Sequence, residues 1–343
     1  MHGKRVLLCG GAGYIGSHLV RYLLDTDWAP VVVDDFSAGH REAVPEGVEV
    51  VRASVGDRQS LDELFGRYDF HGVVHLCANA FVGESVENPR KYYRNNIANG
   101  LVLLEAMLDH DVRQIVFSSS CAVYGYPLNV PIEEDCPAAP ISPYGQTKAM
   151  FEQILRDFGD AYGLKWAALR YFNASGALKG GEIGEDHDPE THLVPLVLRQ
   201  VLQHEQPGLF ESDRRVLRVF GDDYNTQDGT CVRDYIHVTD LADAHHLALD
   251  YLAEGGESVA LNLGNEHGFS VLDIISVCEE VAGREIRYEK AERRPGDPDE
   301  LIGDARLAKK VLGWTTKHSS IQNIIETAWD WHRQHPRGYQ SQQ

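Results

Sequence analysis

A glycine-rich segment directly after a short apolar run is the feature that most constrains the fold of this 343-residue chain. The apolar run covers residues 6–9, and the segment reads Gly10-Gly11-Ala12-Gly13-Tyr14-Ile15-Gly16, opening a helical pattern that extends to Leu24. Glycines at this spacing allow a tight turn and let an anion approach the backbone N–H groups at a helix N-terminus. The segment therefore predicts a strand, a turn and a helix that bind the diphosphate of a dinucleotide.

An acidic residue follows at the end of the second predicted strand. Asp34 lies 18 residues after Gly16. A carboxylate there can accept hydrogen bonds from both ribose hydroxyls and would repel a 2′-phosphate. The sequence therefore favours NAD over NADP as the cofactor.

Apolar runs alternate with helix-length periodic segments in a βαβαβ order. Their continuous Val, Ile and Leu character indicates a parallel sheet covered by helices on both faces, and right-handed crossovers make it doubly wound. The regularity fails after Asn173, and residues 176–191 are rich in Gly, Asp, Glu and Pro. We therefore expect an α/β Rossmann domain over residues 1–175, with residues 235–265 returning to it. A smaller, mostly C-terminal substrate-binding region is expected over residues 176–234 and 266–343.

Composition excludes several classes of function. With 32 basic and 52 acidic residues the net charge is −20, which disfavours nucleic acid and anionic membranes as partners. Six scattered cysteines without a CxxC pair favour reduced thiols and a cytoplasmic location. No apolar run predicts export or a membrane span. Sixteen histidines include no HExxH arrangement, so we expect no metal site.

A tyrosine and a lysine four residues apart suggest acid–base chemistry. Tyr144 and Lys148 share one face of a predicted helix over residues 144–162, which begins 24 residues after Ser120. Tyrosine has a reference pKa of about 10, and a neighbouring cation stabilises the phenolate. After a dinucleotide fingerprint and the serine run Ser118-Ser119-Ser120, this pair predicts a catalytic base.

Together these motifs resemble the extended short-chain dehydrogenase/reductase family, and within it the nucleotide-sugar 4-epimerases. The likeness extends nearly from end to end, through residues 82–86, 92–96, 118–125, 142–145, 171–173 and 229–238. It implies that Tyr144 is the base, that Lys148 is its cationic partner and a ribose ligand, and that Ser120 orients the sugar oxygen.

The resemblance also implies the binding residues. The expected cofactor contacts are Gly10, Gly13, Tyr14, Ile15, Gly16, Asp34, Asp57, Asn95, Ser118, Tyr144, Lys148 and Tyr171. The expected contacts with a UDP-sugar are Ser120, Tyr144, Asn173, His192, Leu193, Arg233, Arg294, Asp297 and Leu301. One departure from the family is Ala80, where many relatives have a lysine that donates to the cofactor.

The reaction implied is interconversion of UDP-glucose and UDP-galactose. A 4-keto sugar forms when C4 passes hydride to bound NAD, and return of hydride to the opposite face inverts that centre. The family further implies a homodimer, joined through helices over residues 89–108 and 144–162.

Other substrates and roles stay open. A UDP-pentose or a UDP-N-acetylglucosamine 4-epimerase would use the same residues, and Leu301 is expected to line the space around the C2 substituent. A 4,6-dehydratase would need an Asp-Glu pair where this chain has Cys121-Ala122. A non-catalytic NAD-sensing protein would have no reason to keep Tyr144, Lys148 and Ser120 together.

Overall fold

A seven-stranded parallel sheet forms the larger part of the computed structural model, which describes residues 3–206, 208–209, 216–294 and 296–339. In chain order the strands of the described residues are β1 (Lys4–Cys9), β2 (Trp28–Asp34), β3 (Glu49–Arg52), β4 (Phe70–His75), β5 (Gln114–Ser120), β6 (Lys165–Tyr171), β7 (Asn173–Ser175), β8 (Leu217–Phe220), β9 (Val232–His237), β10 (Val259–Leu263), β11 (Gly268–Ser270), β12 (Tyr288–Ala291) and β13 (Glu300–Leu301).

The strand order of the larger sheet determines where a ligand can bind. It runs β10-β6-β5-β4-β1-β2-β3, and every neighbouring pair is parallel. Strands β2 and β3 lie on one side of β1, and the later strands, beginning with β4, lie on the other side. This reversal of strand order between β1 and β4 leaves a crevice at their carboxyl ends. The predicted doubly wound sheet is confirmed.

Helices cover both faces of this sheet. In chain order the α-helices of the described residues are α1 (Tyr14–Leu23), α2 (Arg58–Arg67), α3 (Val82–Glu87), α4 (Pro89–Tyr92), α5 (Gly100–Asp109), α6 (Pro143–Tyr162), α7 (Leu193–Glu205), α8 (Val238–Ala253), α9 (Val271–Ala282), α10 (Arg306–Leu312) and α11 (Ile321–Gln334).

Alternation along β1 shows how the core is divided. Val6 and Leu8 belong to a cluster with α1, α8 and α10, whereas Leu7 and Cys9 belong to a cluster with α2, α5 and α6. All four residues are fully buried, because successive side chains of a strand point to opposite faces and both faces are covered.

A second, smaller assembly follows the Rossmann strands. Strands β7, β9, β11 and β13 form one small sheet, β8 pairs with β12, and α7, α9 and α11 contribute to a third apolar cluster. Strand β9 lies in this small sheet, whereas α8 packs on the larger sheet and β10 is its edge strand. The predicted domain boundaries remain a prediction, and their outermost residues, 1–2 and 340–343, lie outside the described residues.

One predicted helix differs from expectation. We expected one regular helix over residues 89–108. The structure instead has α4, a π-helical stretch over Tyr93–Asn99 and then α5. Asn96, in the middle of the stretch, is buried, and its side chain bonds to Asn79 and Thr147 rather than facing solvent. Apolar periodicity alone does not reveal such a local widening, which is frequent at functional sites.

A buried ion pair joins the sheet to α6. Arg170 of β6 donates to Glu152 of α6 through Nε at 2.9 Å and through Nη2 at 2.6 Å, and both side chains are almost fully buried. Ser119 of β5 donates to the same carboxylate at 2.6 Å. The charged groups are thereby paired and hydrogen-bonded, as burial requires.

Arg170→Met should lower the free energy of unfolding by about 3–5 kcal/mol, because it leaves the Glu152 carboxylate buried without its cation. Urea denaturation followed by circular dichroism measures this. The matched control is Arg58→Met, which removes an exposed arginine paired with Asp62 and Asp109 and should change stability far less. Equal effects of the two substitutions would contradict the role given to Arg170.

Candidate active site

The glycine-rich loop connects β1 to α1 at the carboxyl edge of the larger sheet. Gly10 has a φ of +86° and donates its N–H to Val33 O at 2.9 Å. A Cβ on Gly16 would lie 2.1 Å from Gly10 O, so a side chain does not fit there. Gly13 precedes α1 and supplies no side-chain cap, which leaves N–H groups at the helix N-terminus for an anion.

Asp34 ends β2 beside this loop. It is buried and accepts hydrogen bonds from Ala12 N and Phe36 N, each at 2.9 Å and each on a different carboxylate oxygen. Burial raises the pKa of Asp34, against the stabilising effect of these two bonds. A carboxylate has about four lone-pair sites, so two remain for a ligand.

Two other predicted cofactor residues also make contacts within the protein. Tyr14 donates its hydroxyl to Gly176 O at 2.6 Å, linking α1 to the segment that leaves β7. Asp57 precedes α2 and accepts from Ser60 Oγ at 2.7 Å and Ser60 N at 3.3 Å, so it caps that helix. Ile15, in the first turn of α1, is partly buried against the core cluster on that side of the sheet.

Tyr144, Lys148 and Ser120 meet where α6 packs on the end of β5. Ser142 caps α6 by accepting from Gly145 N at 3.1 Å, which fixes where the helix begins. Lys148 is buried and donates to Ser118 O at 2.5 Å, and its Nζ lies 5.7 Å from the centre of the Tyr144 ring. The three residues predicted to be catalytic are therefore neighbours.

Burial changes the acidity of this tyrosine and lysine in opposite directions. It raises the pKa of Tyr144 to about 12, although a hydrogen bond with Ser120 favours the phenolate. It lowers the pKa of Lys148 to about 7, although the Glu152 carboxylate favours the ammonium. Both shifts oppose the charged form, and a positive charge brought near Tyr144 would favour its phenolate.

Asn96 is a positioning residue that the sequence did not single out. Its Oδ1 accepts from Asn79 N at 2.9 Å, and its Nδ2 donates to Asn79 O at 3.1 Å and to Thr147 Oγ1 at 3.1 Å. The predicted cofactor residue Asn95 also donates to Asn96 Oδ1, at 3.0 Å. The buried amide thus joins the end of β4 to the helix that bears Tyr144 and Lys148.

Ser118 and Tyr171 are two further residues that were predicted to contact the cofactor. They end neighbouring strands, and the Ser118 hydroxyl hydrogen-bonds the Tyr171 phenol. Tyr171 leads through Phe172 to Asn173, which begins β7 in register with Tyr235. The carboxyl ends of β5 and β6 therefore bring cofactor and substrate candidates to one edge.

The predicted substrate residues lie mainly in the small sheet and the chain around it. Arg233 of β9 forms an ion pair with Asp297 and donates to Val232 O at 2.7 Å. Arg294 is exposed, with its guanidinium 4.2 Å from the centre of the Phe220 ring. Leu301 of β13 is in register with Arg233 and packs against the cluster that contains Tyr124 and Phe172.

His192 and Leu193 stand at the N-terminus of α7. His192 precedes the helix and hydrogen-bonds Glu185 through Nδ1. Partial desolvation opposes a charged His192, but the Glu185 carboxylate raises the pKa of His192 to about 9. His187 and Glu190 lie beside His192 and Glu185, and the spacing of these four residues differs from the HExxH arrangement.

Comparison with known proteins agrees with this geometry. Residues 6–264 match the NAD dependent epimerase/dehydratase family. The chain belongs to this family. It is 46% identical over 337 residues to the UDP-glucose 4-epimerase of Halalkalibacterium halodurans, covering 98% of each chain. The predicted resemblance to the extended short-chain dehydrogenase/reductases is confirmed.

Solved structures extend the agreement to the fold. The UDP-glucose 4-epimerase of Brucella ovis, in complex with NAD, is 46% identical with a TM-score of 0.90, over 95% of this chain and 98% of that chain. The Bifidobacterium longum enzyme, in complex with NAD+ and UDP, is 36% identical with a TM-score of 0.91, over 98% of this chain and 100% of that one. Among the described residues, no helix has the length and apolar character needed to cross a membrane.

Proposed function

We propose that this protein is an NAD-dependent isomerase that interconverts UDP-glucose and UDP-galactose. The observation that supports this best is the meeting of Tyr144, Lys148 and Ser120 at the same carboxyl edge of the larger sheet as the glycine-rich loop, in a chain of the epimerase family. A dinucleotide at the loop and a sugar at Tyr144 would then share one crevice at the carboxyl edge of the sheet.

The residues around the loop fit NAD. The absence of a side chain at Gly16 lets α1 pack directly against the loop, so that the N-terminus of this helix can face a diphosphate. Asp34 keeps two lone-pair sites for the ribose hydroxyls after accepting from Ala12 and Phe36. When bound, NAD supplies the acceptor for hydride from C4 and returns that hydride in the second half of the reaction.

Tyr144 takes the proton from the sugar 4-hydroxyl as C4 is oxidised, and it returns the proton when C4 is reduced from the other face. Ser120 orients the sugar oxygen toward the phenol. The positive charge of oxidised NAD and the ammonium of Lys148 stabilise the phenolate, which offsets the burial that raises the pKa of Tyr144.

Nucleotide binding is assigned to the smaller region. Arg233 and Arg294 hold the diphosphate through guanidinium forks, despite the net charge of −20. Asn173, His192, Leu193 and Asp297 complete the UDP contacts. Since the hexose must present both faces of C4 while the UDP stays fixed, most of the binding energy comes from the nucleotide.

We further propose a homodimer in the cytoplasm. Tyr93, Met150 and Tyr162 are exposed on the π-helical stretch and on α6, the two segments expected to meet a second copy. All six cysteines are unpaired, as a reducing compartment requires.

Tyr144→Phe should reduce kcat by about 100- to 10,000-fold, because the phenol transfers the proton. Affinity for UDP should be nearly unchanged, since the nucleotide provides most of the binding energy. The value of kcat is measured with UDP-glucose and no added NAD, and the affinity for UDP is measured by calorimetry. Tyr288→Phe, at an exposed tyrosine of β12, is the control. Retention of activity within tenfold in Tyr144→Phe would assign the base elsewhere.

Leu301→Ser should allow larger substituents at C2. The wild type should prefer UDP-glucose and UDP-galactose over their N-acetyl forms by about 10- to 200-fold, since a small steric difference gives limited discrimination. The serine variant should reduce this ratio of kcat/KM. Separate incubations with UDP-glucose, UDP-N-acetylglucosamine and UDP-xylose resolve the three candidate reactions.

A part-buried leucine elsewhere provides the control for this prediction. Leu307→Ser, in α10 on the core of the larger sheet, should leave the ratio unchanged. An unaltered ratio in Leu301→Ser would make Leu301 a packing residue only. Faster turnover of UDP-xylose than of UDP-glucose would favour the pentose epimerase instead.

Small-angle scattering at micromolar concentration should give twice the chain mass of 38.3 kDa. Met150→Glu should yield the monomer, because it places a charge within an apolar contact. Leu128→Glu, on an exposed loop residue, should remain dimeric. A monomeric mass for the wild type would refute the dimer.

A further inference from the structure

Four side chains with the chemistry of metal ligands lie together just before α7. Glu185, His187 and Glu190 belong to the loop that precedes this helix, and His192 is its N-cap residue. One ligand atom from each lies within 4.8 Å of the others. From this cluster we propose that the protein binds one divalent transition-metal ion, with Zn²⁺ as the best-fitting ion.

The spacing of the ligand atoms is close to that of a four-coordinate site. His187 Nδ1 is 3.1 Å from Glu185 Oε1 and 4.0 Å from Glu190 Oε1, while His192 Nδ1 is 3.8 Å from Glu190 Oε1. Tetrahedral bonds of 2.0–2.1 Å to Zn²⁺ separate ligand atoms by about 3.3 Å. Side-chain rotations that move these atoms by less than about 1 Å would bring them to an ion.

The donor set selects among metals. Both imidazoles turn Nδ1 toward the carboxylates, so the cluster offers two nitrogen and two oxygen donors. Imidazole nitrogen with carboxylate oxygen suits Zn²⁺ and its transition-metal neighbours, whereas Ca²⁺ and Mg²⁺ prefer sites made of oxygen.

Charge also favours a cation here. The side chains of Glu185 and Glu190 are only 4% and 3% exposed, so two carboxylates are withdrawn from water. Arg199 lies 3.6 Å from Glu190 Oε2, but it also lies 3.4 Å from the carboxylate of Asp186. A divalent ion would balance the charge of these acids in place of the protons that the imidazoles can carry.

Backbone contacts hold one ligand in place, and an entry path exists. Glu190 Oε1 accepts from Thr191 N at 2.8 Å and from His192 N at 2.9 Å, which orients this carboxylate toward the cluster. The His192 side chain is 45% exposed, so an ion can reach the site from solvent.

The location suggests what the ion does. The His187 ring lies edge-on to Tyr14 of the glycine-rich segment, with 6.3 Å between ring centres, and 6.0 Å from the ring of Phe81. A metal bound by residues 185–192 would fasten this loop between the cofactor loop and α7. Its role is structural: it holds the boundary between the two binding regions without entering the hydride transfer.

The test uses the untagged protein with its bound cofactor, treated with a chelator and dialysed. Calorimetric titration with Zn²⁺ should show one site per chain, and excess Mg²⁺ should not compete. His187→Gln and Glu190→Gln should each weaken Zn²⁺ by more than 100-fold, since losing even a group that only hydrogen-bonds to a ligand costs about 10- to 100-fold. His110→Gln, which removes a partly buried histidine 3.0 Å from Asp62, should leave the affinity unchanged.

A spectroscopic measurement on the wild type avoids dependence on the folding of the variants. Co²⁺ in place of Zn²⁺ should give the intense visible absorption of four-coordinate cobalt. Weak, octahedral-type absorption, absence of a stoichiometric site, or equal affinity in wild type and His187→Gln would overturn the proposal. In those cases the buried acids are balanced by protonated histidine and Arg199 alone, and the proposed epimerase activity is unaffected.

Discussion

The ion pair between Arg170 and Glu152 is the interaction on which the active site depends most. Its carboxylate accepts from Ser119, in the middle of the serine run, and belongs to the same helix as Tyr144 and Lys148. The guanidinium also donates to the Tyr124 hydroxyl at 2.8 Å, and that hydroxyl donates to Asn262 of β10 at 2.6 Å. One buried network therefore fixes strand β5 against α6, so that Ser120 and Tyr144 meet in a defined geometry.

This arrangement separates the groups that position from the groups that react. Tyr144 and Lys148 are each driven toward neutrality by burial, so neither is charged at low cost until the other charges of the complex are present. The base proposed above therefore stays neutral until a bound cofactor brings positive charge beside Tyr144.

The fold could be predicted from sequence, and candidate reacting residues could be named, because both depend on local patterns. The glycine spacing, the apolar strands and the Tyr144/Lys148 pair each lie within a short stretch, and the resemblance to a family joined them. Asn96, Glu152 and Arg170 could not be recognised in the same way. Each has partners 17 or more residues away, and the network they form exists only after the sheet and α6 have packed. The π-helical stretch was missed for a related reason, since it accompanies an inward-facing Asn96 within an otherwise helical pattern.

The cluster before α7 was not predicted from sequence either, although its four residues lie within one short stretch of chain. Residues 176–191 have a loop composition, and a loop would ordinarily be expected to carry little buried charge. Here the loop is pinned at both ends, by Tyr14 bonding to Gly176 O and by Glu190 accepting from the N-terminus of α7. These constraints turn Glu185 and His187 inward against the glycine-rich segment. Polar contacts thus connect the cofactor loop to the segment before α7, in addition to the apolar contacts that Ala174 and Ile236 of the small sheet make with the core of the larger sheet.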